Sequence, residues 1–348
     1  MPGAGTSDVK KQQALLVGLG QIGCGYDADL PFQWNRPSSS SHILSHARAL
    51  ACHPGFNLVG GVDPNPAARE RFSTLYDRPA YGNLATWLSA WKGSAPELVI
   101  IAVPPQLQPA LVEELLSLVV PRLLLLEKPV ATSLAQAHAL AQSCSQHTKL
   151  LVAVNYIRRY LPAAQAWQRR LDDGCLGQLL HGKITYGKGL LSNGSHFVNL
   201  AEFWLGPLKP GLVKAAGPSC LGFDRETTLE LLAERHNDAP ILIQSVGTAG
   251  LRAGELDLWF QRGRLCWNNN GRRISLWVRL TPTLNDNYCN LAAEASLSST
   301  HINHYQFHVA NSLYQILLNN KSACMPCSLK EGIKTLEILT SDQLDKQA

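Results

Sequence analysis

Ala14-Leu-Leu-Val-Gly-Leu-Gly-Gln-Ile-Gly23 is the segment that most clearly indicates the fold class of this chain. Its apolar first part reads as a buried strand, and its three glycines follow in G-x-G-x-x-G spacing. In this arrangement the first glycine permits a tight turn, the second lets backbone approach a pyrophosphate, and the third lets helix and strand pack closely. A purely structural glycine turn is the alternative. The candidate dinucleotide-binding residues of this stretch are Gly18, Gly20, Gln21, Ile22 and Gly23.

The stretch is followed by apolar runs that alternate with segments of helical spacing. The runs cover residues 58–62, 98–103, 123–126 and 150–154, and the helical segments cover 46–52, 67–75, 107–119 and 134–144. Continuous apolar runs indicate strands that are covered on both faces. Strands that alternate with helices predict a doubly wound, parallel sheet. We therefore predict an α/β domain over residues 14–154, after a flexible tail over residues 1–13.

Asp63 ends the second of these strands. A carboxylate at this position can accept hydrogen bonds from ribose hydroxyls and repels a 2′-phosphate, which favours NAD over NADP. A turn aspartate before Pro64 is the alternative. The acid lies far beyond the usual spacing of about 20 residues, because residues 24–41 intervene. We predict that this insertion is a loop between the glycine turn and its helix, and that its last serines cap that helix.

The pattern changes after residue 154. A helix is predicted over 161–171, and segments with partial alternation follow at 179–186, 228–235, 241–247, 255–260 and 274–280. Such alternation indicates a mainly antiparallel sheet with one covered face. Two further helices are predicted over 305–318 and 329–339. We therefore predict a second α/β domain over residues 155–340, with a large open sheet.

Composition excludes several classes of protein. The chain has 348 residues, 45% of them apolar and 16% charged, which is enough for two globular domains. The longest apolar runs are far shorter than the roughly 20 residues that span a bilayer, and the first 13 residues lack the apolar stretch of a secretory signal. We expect a cytoplasmic protein that does not bind membranes.

The nine cysteines are scattered without paired spacing, so we expect reduced thiols. The one close pair, Cys324 and Cys327, has no second pair or nearby histidine, and no metal site is predicted.

Charge is unevenly distributed along the chain. Residues 1–130 carry 10 basic and 10 acidic side chains, whereas residues 131–348 carry 21 basic and 16 acidic ones. The basic residues form no dense run with interleaved aromatics, so nucleic acid is a poor fit. The excess allows an anionic small substrate in the second domain, with solvated surface charge as the alternative.

Glu127-Lys128-Pro129 lies where the apolar strand over 123–126 ends. Ligands of open parallel sheets bind at the carboxyl ends of the strands, so a lysine placed there can face a nicotinamide. Pro129 restricts the backbone of Lys128. Desolvation would bring the lysine toward the range of a useful proton donor or acceptor. A solvated lysine paired with Glu127 is the alternative. Pro104, at the end of the strand over 98–103, completes the candidate cofactor contacts with Glu127.

The joint pattern resembles the Gfo/Idh/MocA family, named for glucose–fructose oxidoreductase, inositol dehydrogenase and a rhizopine-catabolism protein. The resemblance runs from about Ala14 to Leu339. It rests on the glycine turn, Asp63, Val99-Ile-Ile-Ala-Val-Pro-Pro105, Glu127-Lys128-Pro129, Asn155-Tyr-Ile-Arg-Arg-Tyr160 and Asn193-Gly-Ser-His196. The form of the segment from Lys188 to His196 looks like the branch found among surface-polysaccharide and nucleotide-sugar enzymes.

The resemblance implies an N-terminal Rossmann domain, a C-terminal α/β domain with a large open sheet, and an NAD cofactor, with NADP less expected. Members mostly oxidise a sugar or cyclitol hydroxyl or reduce the corresponding ketone. By resemblance, Lys128 would contact the reacting oxygen and His196 would assist the proton transfer. Many members have an aspartate four residues before the histidine and another three after it, whereas this chain has Ser192 and Asn199. The further candidate substrate contacts are Tyr156, Arg158, Arg159 and Asn193.

The Tyr156 to Arg159 segment has a salt-bridged linker as its alternative, and Asn193 has a loop-turn asparagine as its own. The function predicted is hydride transfer between NAD and a secondary alcohol or ketone of a sugar or nucleotide sugar. A non-catalytic, NAD-responsive regulator and a redox-neutral, NAD-dependent glycosidase are the alternatives. Because an open sheet face needs cover, we also predict a homodimer or homotetramer.

Overall fold

The computed structural model describes residues 11–220, 224–247, 253–269, 271–280, 290–319 and 325–340. Within these ranges the chain forms two compact units. The first takes in the residues up to Ala131, Ala135–Asn155 and Asn303–Leu329, and the second takes in Thr132–Leu134, Tyr156–Ile302 and the residues from Lys330 onward.

The first unit is built on a six-stranded sheet in the order β3-β2-β1-β4-β5-β6, in which every pairing is parallel. Its strands are β1 Gln12–Val17, β2 Phe56–Val62, β3 Ala80–Tyr81, β4 Leu98–Ile101, β5 Leu123–Leu126 and β6 Leu151–Val154. Its helices are α1 His46–Cys52, α2 Pro66–Tyr76, α3 Leu84–Ala90, α4 Gln108–Leu118, α5 Leu134–Ser145 and α8 Tyr305–Leu317. All four residues of both β4 and β5 are buried, as expected for strands covered on both faces. The predicted doubly wound sheet is confirmed.

A C-terminal segment packs with the first unit, although the sequence analysis placed it in the second domain. The aromatic ring of Tyr314 in α8 lies 4.9 Å from that of His53 and 5.6 Å from that of Phe56, between centroids. Further along, the Val154 N–H donates to the Cys327 carbonyl at 3.0 Å. The segment therefore covers apolar surface at the end of a helix and at strand ends of the first unit. No local pattern in the segment predicts this packing.

Two elements of the first unit were not predicted from the sequence. The short strand β3 and helix α3 follow α2, and a capping box between Asn83 and Thr86 starts α3. A strand of two residues has no measurable period, so it gave no signal. The predicted helix cap is also wrong in detail. The N-cap of α1 is Ser45, whose hydroxyl accepts from the Arg48 N–H at 3.3 Å, and not one of the serines over 38–41.

The insertion after the glycine turn is a loop, as predicted, and it folds around a buried ion pair. Arg48 is fully buried, and its guanidinium donates to the carbonyls of Asp27, Leu30 and Pro31. The Asp27 carboxylate accepts from the Leu44 N–H at 2.7 Å and from the Ser45 N–H at 3.0 Å. Buried charges that are paired and hydrogen-bonded are tolerated in a protein interior. The loop is thus tied to the start of α1 at both ends.

The second unit is built on an eight-stranded sheet in the order β14-β13-β12-β11-β7-β10-β9-β8. Its strands are β7 Leu179–Tyr186, β8 Leu208–Cys220, β9 Asp224–Ala233, β10 Ala239–Ser245, β11 Gly254–Phe260, β12 Gly263–Asn268, β13 Arg273–Arg279 and β14 Leu291–Ser299. Only β7 and β10 pair in parallel, and the other pairings are antiparallel. The predicted mainly antiparallel sheet is confirmed, and β8, β12 and β14 add to the predicted strands.

Helices α6 Pro162–Asp172, α7 Ser195–Leu205 and α9 Leu329–Leu339 belong largely to this second unit. The indole of Trp204 in α7 lies 6.1 Å from that of Trp267 in β12, between ring centroids. This contact places α7 on one face of the sheet. In β11 the residues facing α7 are buried and those between them are not, which gives the alternation of a half-covered strand. None of the helices in the described ranges is long and apolar enough to cross a membrane.

A carboxyl group lies in the contact between α7 and α9. The Glu202 carboxylate accepts from the Thr335 hydroxyl at 2.7 Å, and Thr335 in turn accepts from the Asn199 amide at 2.9 Å. Burial raises the pKa of Glu202 from 4.5 to about 7. Between these two values the folded chain binds a proton that the unfolded chain does not, so this group's contribution to stability falls as pH rises.

We expect Glu202→Gln to raise the free energy of unfolding at pH 8 by about 1–2 kcal/mol and to change it little at pH 5. The amide removes the cost of a buried charge, and that cost exists only where the carboxyl is ionised. Urea unfolding at both pH values measures the difference. Glu234→Gln, which alters an exposed carboxylate of the same unit, is the control. Equal effects of Glu202→Gln at the two pH values would contradict this account.

Candidate active site

The candidate residues of the first unit lie in one row along the carboxyl edge of its sheet. Register pairs Val17 with Val62 on one side and with Ile101 on the other, then Ile101 with Leu126, and Leu126 with Val154. The residues that follow these five in the chain are Asp63, Gly18, Ala102, Glu127 and Asn155. The chain continues from β1 to β2 on one side and from β4 to β5 on the other, so this edge is the switch point at which such folds bind ligands.

The three glycines have three different environments. Gly18 has φ +94°, and a Cβ there would lie 2.4 Å from the Ala102 carbonyl oxygen. A Cβ on Gly23 would lie 2.0 Å from the Gly18 carbonyl oxygen. In contrast, a Cβ on Gly20 would meet nothing within 4 Å, and the residue is exposed. Gly18 and Gly23 are therefore required by the fold itself, whereas the open face at Gly20 fits a phosphate group that approaches the backbone.

A single wide helical turn over Gln21–Gly25 follows Gly20. Gln21 is exposed and Ile22 is half-buried. At the next strand end, Pro104 is exposed and its carbonyl accepts from the Leu107 N–H at 3.0 Å. These three residues are therefore on the ligand-facing edge of the sheet, and contact with a cofactor remains a prediction for each of them.

Asp63 is tied to the glycine turn. Its Oδ2 accepts from the Leu19 N–H at 2.7 Å, and its Oδ1 accepts from the Asn65 N–H at 2.8 Å. Each carboxylate oxygen has a second lone pair, so both can still accept from a hydroxyl. Asp63 therefore stabilises the glycine turn, and its carboxylate can also accept hydrogen bonds from a ribose. It lies beside the turn although a long insertion separates it from the glycines in sequence.

The Glu127 side chain is buried and is hydrogen-bonded within the protein. Its Oε1 lies 2.8 Å from His46 Nε2 and accepts from the Asn155 amide at 2.7 Å. Hydrogen bonds from these two groups outweigh the opposing effect of burial and hold the pKa of Glu127 below its usual value. Both contacts are inside the protein, and the predicted contact of Glu127 with a cofactor stays a prediction. His46 and Asn155 were not recognised as its partners because they lie far away in sequence.

Lys128 is half-buried and follows directly. The Gln108 side-chain amide donates to the carbonyls of Glu127 and Pro129, at 2.9 Å each. The peptide between Lys128 and Pro129 is cis. The backbone on both sides of Lys128 is thereby held by one buried side chain from α4.

His196 belongs to the second unit, where it is the second residue of α7. The Tyr156 ring packs edge-to-face against its imidazole, 5.7 Å between centroids, and is 1% exposed. The structure thus places Tyr156 as a support for His196, and its contact with substrate stays a prediction. This packing fixes the plane of the imidazole.

The turn before His196 is held by two carboxylates that the sequence analysis missed. Asp224 is buried and accepts from the Leu191 N–H at 2.9 Å and from the Ser192 N–H at 2.7 Å. Glu226 accepts from the Gly189 N–H at 2.9 Å. Both acids come from β9, about 30 residues later, so Ser192 has a carboxylate beside its backbone although it carries none itself. Alternating acids in a strand were the signal that could have identified them.

Three other candidates are held by main-chain carbonyls or aromatic rings. Arg159 is buried, donates to the Asn199 carbonyl at 3.1 Å and pairs at 2.5 Å with Glu331, a residue of the same unit. The Asn193 amide donates to the carbonyls of Gly187 and Ala253, as a loop-turn asparagine does. The Arg158 guanidinium lies 4.1 Å above the Phe197 ring centroid. A substrate role is therefore not apparent from the geometry of Arg159 or Asn193.

The search for metal sites found no group of three or more histidine, cysteine or acidic side chains among the described residues. Cys327 is buried, and Cys324 lies outside the described residues.

With this geometry in view, known proteins can be compared with the chain. Residues 41–156 match the oxidoreductase family with an NAD-binding Rossmann fold, which is Gfo/Idh/MocA. This match covers a third of the chain and agrees with the resemblance that its motifs predicted. No curated protein matches the sequence.

Solved structures share the fold over nearly the whole chain. One is the WlbA dehydrogenase from Bordetella pertussis, in complex with NADH and UDP-GlcNAcA, with 17% identity, 97% of this chain and 96% of that chain covered, and a TM-score of 0.71. Another is KijD10, a 3-ketoreductase from Actinomadura kijaniata, in complex with NADP, with 14% identity, coverage of 97% and 98%, and a TM-score of 0.70. At such identities the likeness establishes the fold alone.

We expect Gly20→Ala and Gly23→Ala to separate cofactor binding from folding. Gly23→Ala should lower the free energy of unfolding by at least about 2 kcal/mol, because its methyl group overlaps the Gly18 carbonyl. Gly20→Ala should change stability by less than about 0.5 kcal/mol, since its methyl group enters open space. It should nevertheless weaken NAD binding at least about tenfold if the phosphates need that space. Thermal unfolding and calorimetric titration with NAD measure the two quantities. Unchanged NAD affinity in Gly20→Ala would place the phosphates elsewhere.

Proposed function

We propose that this oxidoreductase transfers hydride between NAD and a secondary alcohol or ketone of a sugar, with nucleotide sugars as the favoured class. The observation that carries the proposal is the row of residues at the carboxyl edge of the parallel sheet. It combines an open glycine turn, the Asp63 carboxylate and a lysine whose backbone is clamped on both sides. The cofactor supplies the hydride acceptor or donor when it is bound.

Side chains of the protein then have to accept or donate one proton. Oxidation of a carbinol needs a base for the hydroxyl proton, and reduction of a ketone needs an acid for the nascent alkoxide. Lys128 is proposed to hold the reacting oxygen and to stabilise its negative charge. His196 is proposed as the group that takes up or returns the proton, in an orientation set by the Tyr156 ring.

The choice of NAD over NADP is proposed on the basis of Asp63. Its carboxylate is fixed by two backbone N–H groups, so it cannot easily turn away from a 2′-phosphate. Among the fold relatives both choices occur, with NADH in the WlbA structure and NADP in that of KijD10.

A nucleotide sugar is favoured by two observations. The basic excess of residues 131–348 suits a diphosphate. The WlbA structure contains UDP-GlcNAcA, and KijD10 has also been crystallised as a variant with TDP-benzene. For the compartment we propose the cytoplasm, which the unpaired spacing of the cysteines supports.

Lys128→Met should lower kcat with the true substrate by about 10²–10⁴-fold while NAD affinity changes little. The methionine retains the length of the side chain and removes its charge and its proton. Absorbance of NADH, followed over a panel of UDP-sugars, TDP-sugars, free sugars and cyclitols, measures turnover. Lys149→Met, an exposed lysine of the same unit, is the control.

Three outcomes would overturn the proposal. Unchanged turnover in Lys128→Met would remove the residue from the chemistry. Cleaved glycoside without net NADH would instead establish the redox-neutral reaction, and tight NAD binding with no hydride exchange on any substrate would favour a regulator.

We also propose that the uncovered face of the second sheet mediates a homodimer or homotetramer. A ladder of four side chains crosses adjacent strands on this face, where Trp259 pairs in register with His181 and with Arg264, and Arg264 pairs with Trp277. The Arg264 guanidinium lies 4.8 Å from the Trp259 ring centroid and 5.1 Å from that of Trp277. Aromatic and arginine side chains are the residues most enriched at interface centres.

The double substitution Trp259→Ala and Trp277→Ala should shift the protein toward monomer, since it removes two rings from the centre of this face. Light scattering coupled to size-exclusion chromatography measures the mass of each variant. Leu107→Ala, which removes an exposed apolar side chain from the first unit, should leave the mass unchanged. A wild-type protein that is monomeric at micromolar concentration would contradict the proposal.

A further inference from the structure

His46 is a buried, titratable residue that the proposed chemistry does not use. It begins α1, immediately after the Ser45 cap, and is 1% exposed. An imidazole is expensive to bury without hydrogen bonds. Its Nε2 lies 2.8 Å from Glu127 Oε1 and 3.4 Å from the Asn155 amide nitrogen. The helix that follows the insertion therefore delivers one side chain to the end of β5, beside Lys128.

The charge state of Glu127 fixes the direction of this hydrogen bond. An ionised carboxylate only accepts, so His46 Nε2 is the donor. The Asn155 amide donates to the same oxygen at 2.7 Å. Burial alone would favour the neutral acid, and hydrogen bonds from His46 and Asn155, with the charges of His46 and Lys128, hold the pKa of Glu127 below its usual value. His46 makes the largest of these favourable contributions.

The Glu127 carboxylate acts on Lys128 in two ways. Its Oε2 accepts from the Lys128 N–H at 3.3 Å, so it helps to direct the residue's backbone. Its negative charge also favours the ammonium form of the lysine, since an opposite charge nearby stabilises a cation. Gln108 from α4 and Asn155 after β6 also lie at this strand end, and neither carries a charge. His46 and Lys128 are thus the charged or titratable groups that face Glu127 from α1 and from β5.

We propose that His46 is a positioning residue for Lys128, acting through Glu127: it holds the Glu127 carboxylate in place as an anion and thereby sets both the direction and the charge of the lysine. The inference rests on the proposed function for its consequence in catalysis. The physical link among the three residues does not depend on any substrate.

Removal of His46 should change how Lys128 titrates. Without the imidazole donor, the Glu127 carboxylate loses a contact that holds it in place, so its negative charge can move away from the lysine. Its ammonium then gives up a proton at lower pH. In an enzyme that uses Lys128, the limb of the pH profile of kcat/KM that reports this group moves in the same direction.

The test compares three variants in the full chain. His46→Leu removes the donor, His46→Gln retains an N–H donor at the position of Nε2, and Glu127→Gln removes the charge itself. Protein labelled with ¹³C in lysine is titrated by NMR, and the Lys128 resonance is assigned as the one missing from Lys128→Met. We expect the Lys128 midpoint to fall by at least about 0.5 pH unit in His46→Leu and in Glu127→Gln, and to stay near the wild-type value in His46→Gln.

The outcomes separate this inference from the proposed function. An unchanged Lys128 midpoint in folded Glu127→Gln, or in folded His46→Leu, would overturn the inference even if Lys128→Met abolishes turnover. A shifted midpoint together with full turnover in Lys128→Met would uphold the link and overturn the proposed function. If His46→Leu does not fold, the other two variants still test the inference. A Lys128 midpoint that falls in both Glu127→Gln and His46→Gln would contradict it, because His46→Gln retains the N–H donor.

Discussion

The architecture of the first unit depends on the common register in which its parallel strands end. Backbone hydrogen bonds carry this register across the edge, from the Gly18 N–H to the Val62 carbonyl at 2.8 Å and from the Ala102 N–H to the Val17 carbonyl at 2.7 Å. A strand buried on both faces has no room for polar side chains along its length. Polar residues are therefore confined to the strand ends, and register brings these ends together. The candidate functional residues therefore lie along this edge, because the buried interior of the sheet has no room for polar side chains.

Buried carboxylates hold the loops that surround both candidate catalytic residues. In the first unit, Asp27 accepts from two consecutive N–H groups of the chain before α1. In the second unit, Asp224 does the same for the turn before His196. An acid that accepts several hydrogen bonds in the interior costs less to bury and resists rotation. Two unrelated loops thus obtain rigidity by the same means, from acids far away in sequence.

Periodicity predicted most of the fold, and it failed where contacts are distant. The continuous apolar runs at 98–101 and 123–126 indicate strands that are covered on both faces. The parallel sheet could therefore be predicted from local sequence, without knowledge of the residues that cover these strands. The packing of Tyr314 against His53 had no such signal, since its partner is some 260 residues away. The same limit applies at the site. Lys128 is marked by its motif, whereas His46 and Asp224 are identified only by what they contact.

Some candidate residues already use their hydrogen-bonding groups within the protein, whereas others have groups that can still bind a ligand. Arg159 and Asn193 already donate to main-chain carbonyls, and a buried carbonyl that loses its donor costs about 1–3 kcal/mol. A substrate would have to offset that cost before it gained anything from these side chains. Gly20, in contrast, offers open backbone, and the two oxygens of Asp63 retain spare lone pairs. The motif residues therefore belong to the scaffold, and Gly20 and Asp63 among them are open to the proposed cofactor. Discrimination among substrates is expected from side chains outside these motifs.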